Sequence, residues 1–306
     1  ITIILDTGNA MNITILGGTG FVGRSLLNSL AKTKNTITVI TRNREKNKKI
    51  LVYPNVKLVE ANVHNLEELK LHTKKTDVLI NLIGILNETG HSGKGFRKAH
   101  SDFARIVLGA CKTNNIKRLL HMSALNANSK GPSHYLRTKG EAESYLMTYG
   151  KRFTNITVFR PSVIFGKNDS FILRFSTLLN FVPFLFPLAC HDAKFAPVYV
   201  DELSKFIVDS LENTKSFNKS YDLCGPKVYT LKEILELIIK TKNMNTKVVP
   251  LPDYASKIQA MTMEFFPGKP FSIDNYNSCK IDSICKSDFN FYSDLETIIP
   301  TYISSN

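Results

Sequence analysis

Two observations predict an α/β chain built on a Rossmann-type, doubly wound parallel sheet. Short apolar runs alternate with helical stretches over the first 166 residues, and a glycine-rich turn joins the first strand to the first helix. A third observation, the loosening of that alternation after Gly166, predicts a smaller C-terminal substrate or partner region. The 306 residues suit one large domain with such an appendage, and a hydrophobic content of 43% is enough for a real core.

Residues 1–10 read as an N-terminal extension ahead of Met11, because the strand after Met11 is complete without them. Asn12–Leu16 is that buried strand and Val22–Ala31 the first helix. Thr36–Ile40 and Val56–Val59 are the next strands, followed by a polar helix over Leu66–Thr73. Val78–Ile83 is continuously apolar, as a strand covered on both faces has to be. Phe103, Ile106, Val107 and Ala110 fall at helical spacing within Phe96–Lys112. Arg118–Met122, a helix over Tyr135–Tyr149 and the strand Ile156–Phe159 complete the alternation. Further helices are expected at Asp201–Leu211 and Thr230–Lys242, the second opening on Thr230 and Glu233 at capping-box spacing. Pro250, Pro252, Pro267 and Pro270 punctuate the irregular remainder. The expected division sets 11–166, with 197–224 returning to it, against 167–196 and 225–306.

The turn after the first strand reads Gly17-Gly18-Thr19-Gly20-Phe21-Val22-Gly23. At this spacing Gly17 permits the tight turn, Gly20 lets backbone approach a pyrophosphate, and Gly23 lets the helix pack closely. Phosphates would then sit on the free N–H groups of the helix. A dinucleotide is therefore the expected ligand. A site selective for the unphosphorylated ribose places a carboxylate about 20 residues on. This chain instead carries Arg42 and Arg44, guanidiniums suited to a 2′-phosphate, so NADP(H) is favoured over NAD(H).

Tyr135 and Lys139 lie four apart on one helix face, twelve or more residues after Ser123 at a strand end. An ammonium beside the phenol would lower its pKa and fit Tyr135 for acid/base work, with Ser123 holding the reacting oxygen. The segments GGTGFVG (17–23), NLIG (81–84), Ser123, YLRTK (135–139) and RPSVIFG (160–166) together resemble the extended or atypical short-chain dehydrogenase/reductases. HMSALNAN (121–128), YLRTKGEAE (135–143), FAPVYVDE (195–202) and PGKPFSIDNYNSCKIDSIC (267–285) are further similar to the NAD(P)H-binding accessory subunits of respiratory complex I and their bacterial relatives. The resemblance implies dinucleotide contacts at Gly17, Thr19, Gly20, Phe21, Val22, Arg42, Val63, Leu82, Gly84, Lys139, Pro161, Ser162 and Val163. It also places Ser123, Tyr135 and Lys139 on the catalytic positions of active reductases. In the complex I subunit, however, the cofactor serves structure rather than turnover, and His100 stands where many extended members have Asn.

Two functions follow from the resemblance. One is an NADP(H)-binding subunit or assembly factor of a respiratory complex, and the other an oxidoreductase or epimerase acting on a carbonyl, an alcohol or a lipophilic quinone-pathway compound. The expected place is cytoplasmic, peripheral at the cytoplasmic face of the inner membrane, or the matrix side in a eukaryote. The excess of 40 Lys+Arg over 26 Asp+Glu gives +14, but thirty of these cations are lysines with no aromatic platform organised among them. The charge thus argues for attraction to an anionic membrane surface and against a specific nucleic-acid partner. No run approaches the roughly 18–20 apolar residues of a spanning helix. Five cysteines without a CxxC pair argue against a disulfide framework and for a reducing compartment. His100 and His121 lack partners at ligand spacing, so packed imidazoles and no metal are expected. The five phenylalanines of Phe171–Phe186 read as core, as a lid over the nicotinamide, or as an apolar face for a partner or isoprenoid tail.

Overall fold

A computed structural model describes residues 10–182, 184–266, 268–286 and 291–303. Residues 1–9 of the expected extension, with Pro183 and Pro267, lie outside the described residues. Seven parallel strands form the central sheet: β1 (Asn12–Leu16), β2 (Thr36–Thr41), β3 (Val56–Glu60), β4 (Val78–Asn81), β5 (Arg118–Met122), β6 (Asn155–Pro161) and, after a short strand β7 (Leu185–Leu188) outside it, β8 (Lys219–Leu223). Their order is β8-β6-β5-β4-β1-β2-β3, which makes β1 and β4 the place where the direction of winding reverses.

The inner strands are largely apolar on both faces because helices cover both. Ile13, Ile15, Val39, Ile80 and Leu120 pack beneath α1 (Phe21–Leu30) and a later helix over Val200–Asp209. Leu16, Leu79, Leu119 and Val158 pack on the opposite face against α2 (Leu66–His72), α3 (Phe103–Thr113) and α4 (His134–Tyr145). Beyond the strand ends a third core gathers Phe165, Leu179, Phe195 and Ile234 between α5 (Ile172–Phe181) and a helix over Leu231–Thr241. That last helix begins with the expected capping box of Thr230 and Glu233.

Several boundaries shift for identifiable reasons. β4 stops at Asn81, whose side chain takes the Ile83 amide at 3.1 Å and turns the chain out of the ladder. The helix expected over Phe96–Lys112 is interrupted by a wide π turn at Lys98–Asp102 before α3. The extra residue of that turn brings His100 and Ser101 onto α4, at 2.9 Å from Thr138 Oγ1 and 2.7 Å from Glu141. The Phe171–Phe186 segment divides: Phe186 is buried, Phe171 and Phe175 line a cavity, while Phe181 and Phe184 are 78% and 77% exposed.

The expectation of unpaired cysteines is corrected. Cys224, just past β8, is disulfide-bonded to Cys285, with Cα atoms 5.9 Å apart. Sixty-one residues separate the two, so spacing gave no sign of the pairing, and the cysteines lend no support to a reducing compartment.

Candidate functional site

Leu16 pairs with Ile40 on one side and Asn81 on the other, so the chain leaves β1 at the reversal of strand order. Gly17 turns it with φ +82°, where a Cβ would also press to 3.1 Å on the Leu82 carbonyl carbon. Gly23 seats α1 on the turn, since a Cβ there would fall 2.5 Å from the Gly17 oxygen. Gly20 caps α1 in extended conformation, with no side chain supplying a cap. The amides of Phe21, Val22 and Gly23 consequently donate to nothing among the described residues. Three free N–H groups at the positive end of a ten-residue helix, beside a glycine edge without side chains, fit the pyrophosphate of a dinucleotide.

A cavity of about 490 Å³ opens from this turn across the carboxyl ends of β4, β5 and β6. Its walls bring together Gly17, Gly20, Phe21, Val22, Gly23, Leu82, Gly84, Ser123, Tyr135, Lys139, Pro161, Ser162 and Val163, all anticipated from the sequence. Thr19, Val63, Arg42 and Arg44 are not in its lining. Arg42 is exposed at the end of β2. Arg44 turns back on the protein: its Nε reaches the Leu58 carbonyl at 3.4 Å, its guanidinium faces Glu45 at 3.8 Å, and its amide donates to Glu60 at 2.6 Å.

The three candidate catalytic residues share the cavity but not the expected chemistry. Lys139 Nζ donates to the Met122 carbonyl at 3.0 Å, and burial lowers its pKa to about 8 against the pull of Glu143. It passes close under Gly84, where a Cβ would meet Nζ at 3.0 Å. Tyr135 is not acidified by this ammonium. Burial pushes its hydroxyl up to about 12, and the Asp274 carboxylate adds to the rise. Ser123 donates its hydroxyl proton to Glu143, a residue 4% exposed that also holds Arg160 at 2.7 and 2.5 Å. Burial drives the Glu143 pKa upward while Arg160 opposes it.

Both histidines, His100 and His121, are packed in the interior. His100 Nε2 accepts the Ile85 amide at 3.2 Å, so the neutral ring carries its proton on Nδ1 and donates to Thr138 Oγ1. His121 Nδ1 faces the Asn81 amide at 3.1 Å, leaving a buried Nε2 without a partner among the described residues. Burial lowers His100 to about 2 and His121 to about 3, with the Lys139 ammonium adding to both.

Some site residues escape sequence reasoning. Glu143 was within reach, since 135, 139 and 143 repeat on one helix face. Asp274, which takes the His134 and Tyr135 amides at 2.6 and 3.1 Å, and Arg174 of α5, which lines the far end of the cavity, come from distant segments without a local signal.

The comparisons agree with this geometry. The model of a family described as NAD(P)H-binding matches residues 17–169. A mitochondrial protein of Arabidopsis thaliana named NADH dehydrogenase (ubiquinone) 1 alpha subcomplex subunit 9 is 28% identical over 300 residues, covering 93% of this chain and 73% of its own length. The mitochondrial NADH-ubiquinone oxidoreductase 40 kDa subunit of Neurospora crassa is 24% identical over 74% of this chain and 58% of its own. Among solved structures, a UDP-N-acetylglucosamine 4-epimerase from Methanobrevibacter ruminantium matches at TM-score 0.70 and 18% identity, covering 97% of this chain and 98% of that one. A UDP-glucuronic acid 4-epimerase from Bacillus cereus, solved with NAD, matches at 0.69 and 17% over 88% and 99%. With its glycine turn on the switch point of a seven-stranded Rossmann sheet and half its length matched by the family model, the chain belongs to the NAD(P)H-binding family.

Proposed function

We propose that the protein is an NADP(H)-binding subunit or assembly factor of a respiratory complex, in which the dinucleotide stabilises the fold without turning over. The observation that carries this reading is the commitment of the Ser123 and Lys139 side chains to the protein itself, beside a Tyr135 hydroxyl that burial makes less acidic. Ser123 donates its hydroxyl hydrogen bond to Glu143, Lys139 is held on a strand carbonyl, and burial makes Tyr135 a weaker acid than a free phenol. When bound, a nicotinamide would supply a transferable hydride. The chain supports binding more clearly than transfer: the α1 amides seat phosphate, Gly84 and Pro161–Val163 line the path of the cofactor, and Arg42 is free to reach a 2′-phosphate. The relatives named as mitochondrial complex I subunits support a respiratory partner, and the +14 charge supports contact with an anionic membrane surface. In this reading residues 11–166 with 197–224 hold the dinucleotide, and 167–196 with 225–306 form the partner or substrate side.

One feature favours a second reading, an oxidoreductase or epimerase using Tyr135, Lys139 and Ser123. The same cavity continues past Tyr135 to Phe171 and Phe195, which leaves space for a substrate. Purified protein retaining NADPH that carbonyl substrates never oxidise is the expected result. Substrate-dependent oxidation that Tyr135→Phe abolishes would replace the structural role with the catalytic one. Separately, Arg42→Ala is expected to lower the NADPH/NADH affinity ratio about tenfold, the scale of a lost charge-assisted bond. An unchanged ratio removes Arg42 from the 2′-phosphate.

A further inference from the structure

Charge is sparse in the cavity: among the described residues Lys139 and Arg174 are its only charged lining residues, and none is a carboxylate. Lys139 stands at the sheet end, on the Met122 carbonyl. Arg174 stands at the outer end, half-buried in the first turn of α5, and the hydrogen bond it makes is a long one of 3.4 Å to the Pro270 carbonyl. Asp169, the carboxylate nearest in sequence, is turned to the Gly166 and Ile172 amides and the Tyr302 hydroxyl. Burial lowers the Arg174 pKa, yet a guanidinium stays protonated at neutral pH, so a partly desolvated cation faces the cavity without an anion partner among the described residues.

The walls around it are apolar: Phe171, Phe175, Phe195, Leu231, Phe271 and Ile281. Apart from the exposed Ser170, most polar side chains nearby are already engaged. Asn126 donates to the Asp282 carbonyl, Ser162 to the Ser283 carbonyl, Ser278 to Ser133, and Asn275 completes the cap of the helix Ile273–Ser278. A sugar ring would find few free partners here, whereas an apolar body with one negative group would satisfy both the walls and the cation.

We propose that the outer lobe of the cavity binds a second ligand made of an apolar body and a single anionic group, carboxylate or phosphate, seated on Arg174. This rests on the reading that the glycine end of the cavity holds the dinucleotide.

The test uses the full chain saturated with NADPH and titrated calorimetrically with decanoate, decyl phosphate, decanol and UDP-glucose. Either or both decyl anions are expected to bind about tenfold or more tighter than decanol, the scale of a hydrogen bond to a charged group. Arg174→Gln is expected to abolish that preference and Arg174→Lys to keep part of it, with the melting temperature of each variant checking the fold. Equal binding of decanol, a preference that survives Arg174→Gln, or binding of UDP-glucose in place of the decyl anions would overturn the proposal. NADPH titration of the same preparation tests the glycine end alone, so loss of that reading is seen separately from loss of this one.

Discussion

A methyl group on Gly23 would lie 2.5 Å from the Gly17 oxygen and from the Gly18 Cα, all of them backbone. No rotamer change can relieve such a contact, so Gly23→Ala must lift α1 from the turn and move the amides that seat phosphate. The expected outcome is a stability loss of about 1–3 kcal/mol, the usual scale of overpacking, together with at least about tenfold weaker NADPH binding. Denaturant midpoints and NADPH titrations check both, and unchanged affinity would detach the turn from the phosphate. Gly23 was legible in the sequence because its role is set by neighbours five and six residues away. The state of Tyr135 was not. Its spacing to Lys139 is local, but its pKa is set by burial and by Asp274, 139 residues distant.

At the scale of elements, legibility followed apolarity. The inner strands β1, β4, β5 and β6 are buried along most of their length and announce themselves as hydrophobic runs, while β8 is an edge strand, KSYDL, with one fully buried residue. Half-polar edges carry little period-2 signal, so its return to the sheet comes from pairing with β6 rather than from composition. The π turn before α3 was equally silent, since it is specified by the fit of His100 and Ser101 to α4. The Cys224–Cys285 bridge ties that edge to the 279–285 segment, whose Cys279, Ile281 and Ser283 line the cavity. Closing a loop of 61 residues restricts the unfolded chain by about 4 kcal/mol in the chain-entropy model. Cys285→Ser should therefore cost up to about 4 kcal/mol in denaturant unfolding, and a reductant should lower wild type toward the variant. Coincident curves for reduced wild type, oxidised wild type and Cys285→Ser would show that the bridge contributes nothing.

Acid response belongs to the whole molecule, because it sums groups across the fold. His100 and His121 are 3% and 2% exposed, and burial holds their pKa values near 2 and 3. The unfolded chain takes up a proton at each near pH 6.5, while the folded one does not until far lower pH. Stability is thus unaffected by these histidines above pH 6.5 and falls as the pH drops below it, until the folded values are reached. At 1.36 kcal/mol per pH unit, each histidine removes about 2 kcal/mol between pH 6.5 and 5. Against a total of about 5–15 kcal/mol for an ordinary domain, that is a steep acid sensitivity. Glu143, Asp169 and Asp274 act in the opposite direction, since their raised values let the folded protein bind protons before the unfolded chain does. A difference measurement separates the two sets. Between pH 7.5 and 5, His121→Asn should lose about 2 kcal/mol less stability than wild type, because the carboxylates are common to both proteins and the unpartnered Nε2 is gone. The same loss in both proteins would mean that His121 is already protonated in the fold, and the neutral Asn81–His121 pair beneath the cavity floor would have to be redrawn as a charged one.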